Sequence, residues 1–234
     1  MIQVLLWDID GTLLDFTVAE SYALKRCFRL FGLGECTDEM VARYSVINRK
    51  YWKMLERGEI TKPEVLHRRY AEFFTQEGIP LPDIDALNRE YQVLLGDKIV
   101  FHDDGLQIVR QLRPLVRQYA VTNGTVRAQR KKLRLSGLED VFDGVFISDE
   151  IGYEKPTTDF FDVVFRAIGP VPKDQVMIIG DSLTSDMQGG NNAGIRCCWY
   201  HPRQDHRDTG SLRLDYEIAD LHEIPALLAR EQAL

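Results

Sequence analysis

The sequence has little cysteine, no long apolar run and no excess of positive charge, and each shortage removes a class of function. The four cysteines among 234 residues, Cys27, Cys36, Cys197 and Cys198, form no CxxC pair. That leaves little basis for a structural zinc site or a disulfide framework. The adjacent pair lies in the apolar run IRCCWY, where buried free thiols are expected. No apolar stretch approaches the ~20 residues that a membrane span requires. The opening, MIQVLLWDIDG, has no basic segment ahead of its apolar residues and an acidic pair directly behind them. It reads as a buried strand rather than a signal peptide, and a cytoplasmic location is the default expectation. Basic residues number 29 against 36 acidic ones, a formal net charge of −7, which argues against general affinity for nucleic acid. It leaves open a phosphate-bearing substrate, because a bound cation overrides the global sign locally. Internal repeats and low-complexity segments are also lacking.

What is present is a chain 44% hydrophobic, enough for one α/β core with a modest insertion. Short apolar runs at 2–7, 118–122, 144–148, 175–179 and 195–200 have the composition of buried strands. Helical patterns at 103–115, 126–135, 158–168 and 185–193 fall between the later runs. This alternation predicts βαβ units and a parallel sheet. Gly137, Gly169 and Gly194 stand where helix C-termini should be. Residues 16–96 differ: they predict four amphipathic helices, at 16–31, 38–56, 62–77 and 84–95, with no strand between them. Thr61 with Glu64 completes a capping box, and Thr37 supplies a simple cap. The expected organisation is therefore a doubly wound α/β domain, residues 1–15 and 97–234, with an all-helical module at 16–96. A polar surface loop at 205–211, a short strand and a last helix close the chain.

Ligands of parallel α/β sheets bind beyond the carboxyl ends of the strands. The polar residues there form a consistent set: Asp8 and Asp10 after the first run, Thr122, Asn123 and Gly124 after the second. Lys155 comes after the third, and Asp181, Ser182 and Asp186 after the fourth. Asp8, Asp181 and Asp186 would repel one another without a cation, and an oxygen-only donor set suits Mg²⁺. A carboxylate and a phosphate dianion ~4 Å apart repel by roughly 8 kcal/mol at an effective dielectric of ~20. Mg²⁺ and Lys155 would offset that repulsion and hold the equatorial oxygens. Asp8 is then a candidate nucleophile. Asp10 would protonate the leaving alkoxide and later take a proton from the attacking water. The Thr122 hydroxyl and neighbouring backbone N–H groups would bind phosphoryl oxygens, and Gly11 lets the chain turn after the strand.

WDIDGTL, VTNG, EKP and GDSLTSD resemble, in order and character, the four motifs of the haloacid dehalogenase-like (HAD) hydrolase superfamily. The helical module after the first motif resembles that superfamily's small helical cap. The resemblance implies a Rossmann-like core, Asp8 as nucleophile, Asp10 as acid and base, and Thr122 and Lys155 as phosphate binders. It also implies Mg²⁺ held by the Asp8 side chain, the Asp10 backbone carbonyl and Asp181, with Asp186 close by or bridged through water. The stretches TLLDF, NRKYWKMLERGEIT and GDSLTSDMQGGNNAGIRCCWYHP are similar to the YjjG/YfnB-type pyrimidine 5′-nucleotidases. The implied activity is hydrolysis of a small phosphorylated metabolite, a nucleoside 5′-monophosphate, by a monomer or weak homodimer, with a cap that opens and closes.

Rival readings remain. A carbon–halogen hydrolase has no alkoxide to protonate and no use for Asp10, whereas a phosphosugar phosphatase or mutase keeps both aspartates. A phospho-aspartate signalling module shares the aspartates, Thr and Lys, but places its acidic pair and phosphorylated Asp after different strands. His102, Asp103 and Asp104 read as a loop with an acidic first helical turn rather than a metal cluster. His201 and His206 read as solvated. The basic stretch 127–134 reads as a solvated helix surface, with Arg127 worth attention beside the phosphate loop. In the helical module Phe16, Asn48, Tyr51 and Trp52 are the side chains that could reach a base, against the plainer reading that helical aromatics form core.

Overall fold

The computed structural model describes residues 1–233. Its contacts separate two units, Met1–Asp15 with the chain from Val100 onward, and Phe16–Ile99. The first unit carries β1 (Val4–Trp7), β2 (Arg117–Thr122), β3 (Gly144–Ile147), β4 (Val176–Gly180), β5 (Arg196–Tyr200) and β6 (Tyr216–Ile218). All neighbours pair parallel, in the order β3-β2-β1-β4-β5-β6. From β1 the chain builds outward through β2 and β3, then returns to the other side for β4, β5 and β6. That reversal at β1 is the switch point of a Rossmann-like doubly wound sheet, where the loops beyond adjacent strands part and leave a crevice.

The second unit consists of α1 (Phe16–Leu30), α2 (Asp38–Glu56), α3 (Lys62–Glu77) and α4 (Ile84–Leu94). In the first unit follow α5 (Gly105–Leu112), α6 (Val126–Ser136), α7 (Ser148–Ile151), α8 (Thr158–Ile168), α9 (Gln188–Ala193) and α10 (Glu223–Ala233).

Strand β1 reads VLLW and is buried throughout, as a central parallel strand covered on both faces must be. Val4 and Leu6 face one side, where Val121, Ile178 and Cys197 meet Phe160, Phe161 and Val164 of α8. On the other side the Trp7 indole N–H donates to Gln118 Oε1 (3.0 Å), and the Gln118 amide donates to the Val109 carbonyl of α5 (2.8 Å). Full burial of each large apolar side chain contributes roughly 1.5–3 kcal/mol. A strand held on both faces and both edges is thus a firm mount for the residue that follows it. All four cysteines are buried and free.

In the helical unit α1 packs on α2 and α4, and α3 packs on the same two. Phe28, Tyr44, Tyr70, Phe73, Phe74 and Tyr91 fill the centre, with ring centroids 5.3–6.2 Å apart. A polar chain crosses this core. Glu20 accepts from the Ser45 hydroxyl and the Asn48 amide, Asn48 Oδ1 accepts from Arg69 Nη1 (2.8 Å), and Arg69 Nη2 donates to Asn88 Oδ1 (3.0 Å). Asn48 is therefore a core residue whose amide is engaged on both sides. Tyr51 and Trp52 pack on Leu55, Ile60 and Val65, and Phe16 is partly exposed.

Three local expectations are corrected. Asp103 and Asp104 do not form a first helical turn: both have positive φ (45° and 56°) and precede α5. Asp103 Oδ2 instead accepts from the Tyr200 hydroxyl (2.7 Å) and the Leu221 N–H (3.0 Å), tying the end of β5 to the segment before α10. His201 is buried rather than solvated, stacked on Trp199, with Nδ1 2.9 Å from Glu217 and Nε2 2.6 Å from Asp205. The stretch expected as a helix from residue 185 begins earlier, as a π-helical turn Leu183–Met187 that continues into α9.

Candidate active site

The crevice residues follow from strand ends. The Asp8 N–H donates to the Ile179 carbonyl (2.9 Å), so the ladder between β1 and β4 extends one residue past β1. That fixes the Asp8 backbone before the chain turns at Gly11. Gly11 has φ +96°, and a Cβ there would lie 2.7 Å from Asp181 Oδ2. Its bare backbone lets the two loops close on each other. Thr12, fully buried, donates its hydroxyl to Asp8 Oδ2 (3.1 Å).

Beyond β4, Ser182 caps the π turn by accepting from the Ser185 N–H (3.1 Å), and the turn swings Asp186 back over Gly180. A Cβ at Gly180 would meet the Asp186 carboxyl at 2.3 Å. Asp8, Asp181 and Asp186 each offer a carboxylate oxygen within 4.8 Å of the others. Among the described residues no other group of His, Cys, Asp and Glu is placed to share an ion. The donors are all hard oxygens, the set a magnesium ion takes. Asp186 is engaged at both oxygens, Oδ1 accepting from Lys155 and Oδ2 from the Ser182 N–H (3.1 Å), as Asp8 is by Lys155 and the Thr12 hydroxyl.

Lys155 is the cationic centre. Its Nζ lies 2.7 Å from Asp8 Oδ1, 2.6 Å from Asp186 Oδ1 and 2.8 Å from the Val121 carbonyl, so all three ammonium protons have acceptors. Burial alone would lower the Lys155 pKa, but the carboxylates of Asp186 and Asp8 outweigh it and hold the ammonium above its ordinary range. Burial pushes Asp8 up to about 7, with the charge of Asp186 adding to the rise and Lys155 opposing it. Asp181 is raised as well, by burial first and then by Asp8 and Asp186. One lysine does not neutralise three carboxylates, and the surplus charge is what a divalent cation would balance.

The loop after β2 holds Lys155 in place. Asn123 Nδ2 donates to the Lys155 carbonyl and the Lys155 N–H donates to Asn123 Oδ1, both at 2.8 Å. The Asn123 side chain, expected on the substrate, is thus engaged with the Lys155 main chain. Thr122 Oγ1 accepts from the Gly124 N–H (3.2 Å).

Asp10 stands apart from the carboxylate cluster. Its Oδ1 accepts from Lys132 Nζ (2.5 Å) and its Oδ2 from Gln129 Nε2 (2.7 Å). Neither residue was singled out in the sequence, and Lys132 corrects the reading of 127–134 as a solvated surface: it is 1% exposed. The signal was helical phase. Ala128, Gln129, Lys132, Leu133 and Ser136 form the buried face of α6, spaced i, i+3 and i+4. Arg127 lies exposed on the other side.

The haloacid dehalogenase-like hydrolase family matches residues 2–194, which include every residue of this cluster. The chain is 33% identical over 232 residues to the HAD-hydrolase YfnB of Bacillus subtilis (strain 168), covering 99% of this chain and 97% of YfnB. It is 36% identical over 226 residues to the pyrimidine 5′-nucleotidase PynA of Streptococcus pneumoniae, covering 95% and 93% of the two chains. Identity to the pyrimidine 5′-nucleotidase YjjG of Escherichia coli (strain K12) is 26% over 224 residues, 96% of each. The structure matches the crystal structure of YfnB bound to magnesium with a TM-score of 0.89, over 97% of this chain and 98% of that one. With motifs, sheet order and nearly full-length similarity in agreement, the chain belongs to the haloacid dehalogenase-like hydrolases.

Proposed function

We propose that this hydrolase is a Mg²⁺-dependent phosphomonoesterase that forms an aspartyl-phosphate on Asp8, with pyrimidine nucleoside 5′-monophosphates as preferred substrates. The observation that carries the reading is the Lys155 ammonium gripping Asp8 and Asp186 at 2.7 and 2.6 Å, with Asp181 in the same cluster. The preference for pyrimidine nucleotides draws support from PynA and YjjG, both pyrimidine 5′-nucleotidases.

The side-chain oxygens of Asp8 and Asp181 and the main-chain carbonyl of Asp10 would hold the ion, with Asp186 beside them in the same cluster. When bound, Mg²⁺ supplies positive charge that offsets the repulsion between carboxylate and phosphate. The residues of the chain do the rest. Lys155 orients the Asp8 carboxylate and faces the phosphoryl oxygens beside it. A carboxylate oxygen of Asp8 attacks phosphorus, the ester P–O bond breaks, and Asp10 donates a proton to the departing alkoxide. In the second half Asp10 accepts a proton from water, whose oxygen attacks phosphorus. Inorganic phosphate leaves and the Asp8 carboxylate is restored.

The test is phosphate release from pyrimidine and purine nucleoside monophosphates and from sugar phosphates, with Mg²⁺ and with excess chelator. Release from pyrimidine nucleotides that requires Mg²⁺ and vanishes in Asp8→Asn is expected. Full release by that variant, or in excess chelator, overturns the proposal. Many turnovers with excess substrate separate it from a stable phospho-aspartate signal.

A further inference from the structure

Asp10 has both carboxylate oxygens occupied by donors from one helix face, and those donors are unusual occupants of that face. Lys132 is 1% exposed and brings its ammonium to 2.5 Å from Oδ1, while Gln129, also 1% exposed, brings its amide nitrogen to 2.7 Å from Oδ2. On α6 they alternate with Ala128 and Leu133, which pack as ordinary core. Gln129 Oε1 is buried with no hydrogen-bond partner, an arrangement that costs about 1–3 kcal/mol. A leucine of similar size would escape that cost and forgo the bond to Asp10, two effects of similar size, so what the glutamine adds is its hold on Asp10.

The phosphate loop makes room for it. A Cβ at Gly124 would lie 2.2 Å from Gln129 Nε2 and 2.7 Å from its Cδ. The glycine between Thr122 and α6 therefore admits the Gln129 side chain past the loop to Asp10. Asp10 itself sits in the turn that Gly11 makes, with a partly exposed carboxyl, and the hydrogen bonds that hold that carboxyl come from Gln129 and Lys132. Without the two α6 side chains its carboxyl would be free to rotate about Cα–Cβ.

We infer that Gln129 and Lys132 are positioning residues for the reaction, a two-point clamp that sets where the Asp10 carboxyl stands for its proton transfers. The inference rests on the phosphatase reading and on Asp10 as its acid and base, and assigns two residues that act on substrate only through Asp10. Fixing both oxygens selects one carboxyl plane, and a misplacement of about 1 Å in such a group costs on the order of 10²-fold in rate.

The experiment is single-turnover release of the leaving group, enzyme in excess with Mg²⁺, from a nucleoside 5′-monophosphate and from p-nitrophenyl phosphate. Release reports the first half-reaction alone. The alkoxide needs a proton and p-nitrophenolate does not. Lys132→Met should slow nucleoside release by roughly 10–100-fold and p-nitrophenolate release by less than about threefold, within the 10²–10⁴-fold that general acid catalysis supplies. Gln129→Leu should show the same split at smaller size, with no loss of thermal stability. In an Asp10→Ala background neither substitution should slow release further, because coupled residues are non-additive. Equal slowing of both leaving groups, no slowing of either, or additive effects in the Asp10→Ala background would overturn the inference. If Lys132→Met does not fold, Gln129→Leu decides alone. A wild-type enzyme that releases neither leaving group defeats the phosphatase reading instead, and the two failures are therefore distinct.

Discussion

Gly11 sits where a side chain is excluded twice, by φ +96° and by Asp181 Oδ2, 2.7 Å from where a Cβ would lie. Left-handed backbone costs an alanine roughly 1–2 kcal/mol, and the added methyl pushes on a carboxylate of the proposed ion site. Gly11→Ala is expected to raise the Mg²⁺ concentration for half-maximal phosphate release about tenfold, the equivalent of about 1.4 kcal/mol. An unchanged Mg²⁺ requirement with a lower melting temperature would place the strain elsewhere. Asn123 gives a second residue-scale expectation. Asn123→Ala leaves the Lys155 N–H and carbonyl without their 2.8 Å partners, which costs about 1–3 kcal/mol; thermal unfolding checks this, and activity should fall with it. Lys155, Asp8 and Asp181 were legible because each follows an apolar run in a chain whose strands are short and buried. Asn123 stands at the end of β2, where the sequence places it, but a sequence does not show that its amide pairs with the Lys155 backbone. Lys132 was hidden for a chemical reason. It lies among Arg127, Arg130, Lys131 and Arg134, and only its phase with Ala128 and Leu133 sets it apart from the cations outside the buried face.

At the scale of elements, the helical unit shows what amphipathic periodicity leaves out. All four helices follow their apolar stripes, yet α1, α2 and α3 are also joined by Glu20, Asn48 and Arg69, residue types that periodicity assigns to water. Burial raises the Glu20 pKa, with hydrogen bonds from Ser45 and Asn48 and the Arg69 charge opposing the rise. Arg69 lies over the Tyr70 and Tyr91 rings at 4.7 and 5.2 Å, so its guanidinium meets a carboxamide chain on one side and aromatic faces on the other. Removing one member of a buried charged set costs about 3–5 kcal/mol, because its partner stays buried without compensation. Arg69→Met should destabilise the helical unit by that amount in urea unfolding. Glu20→Gln with Arg69→Met should cost less than the two single changes summed. Strict additivity would mean that the network is three separate contacts rather than one.

At the scale of the molecule, stability should depend on pH through the carboxylate cluster. The folded pKa of Asp8 is raised from 3.8 to about 7, and that of Asp181 is raised too. Between those values the folded chain binds more protons than the unfolded chain, so stability falls as pH rises. Lys155 does not counter this slope. Its folded pKa is raised above 10.5, so its contribution is constant across the neutral range and is lost only in strong alkali. With excess chelator, the melting temperature should drop between about pH 5 and pH 8. At the proposed site, millimolar Mg²⁺ would bind the deprotonated carboxylates of the folded state, so the increment it adds should be larger at about pH 8 than at about pH 5. The net charge of −7 offers a rival cause, since self-repulsion among surface carboxylates also weakens a compact fold. Asp8→Asn separates the two. It changes the global charge by one but removes a carboxylate from the crowded site, so it should flatten the slope measured in chelator and shrink the Mg²⁺ increment. An Asp8→Asn protein whose melting temperature falls as steeply as the wild type's would assign the pH dependence to the surface, and the cluster would lose its place as the molecule's proton-linked site.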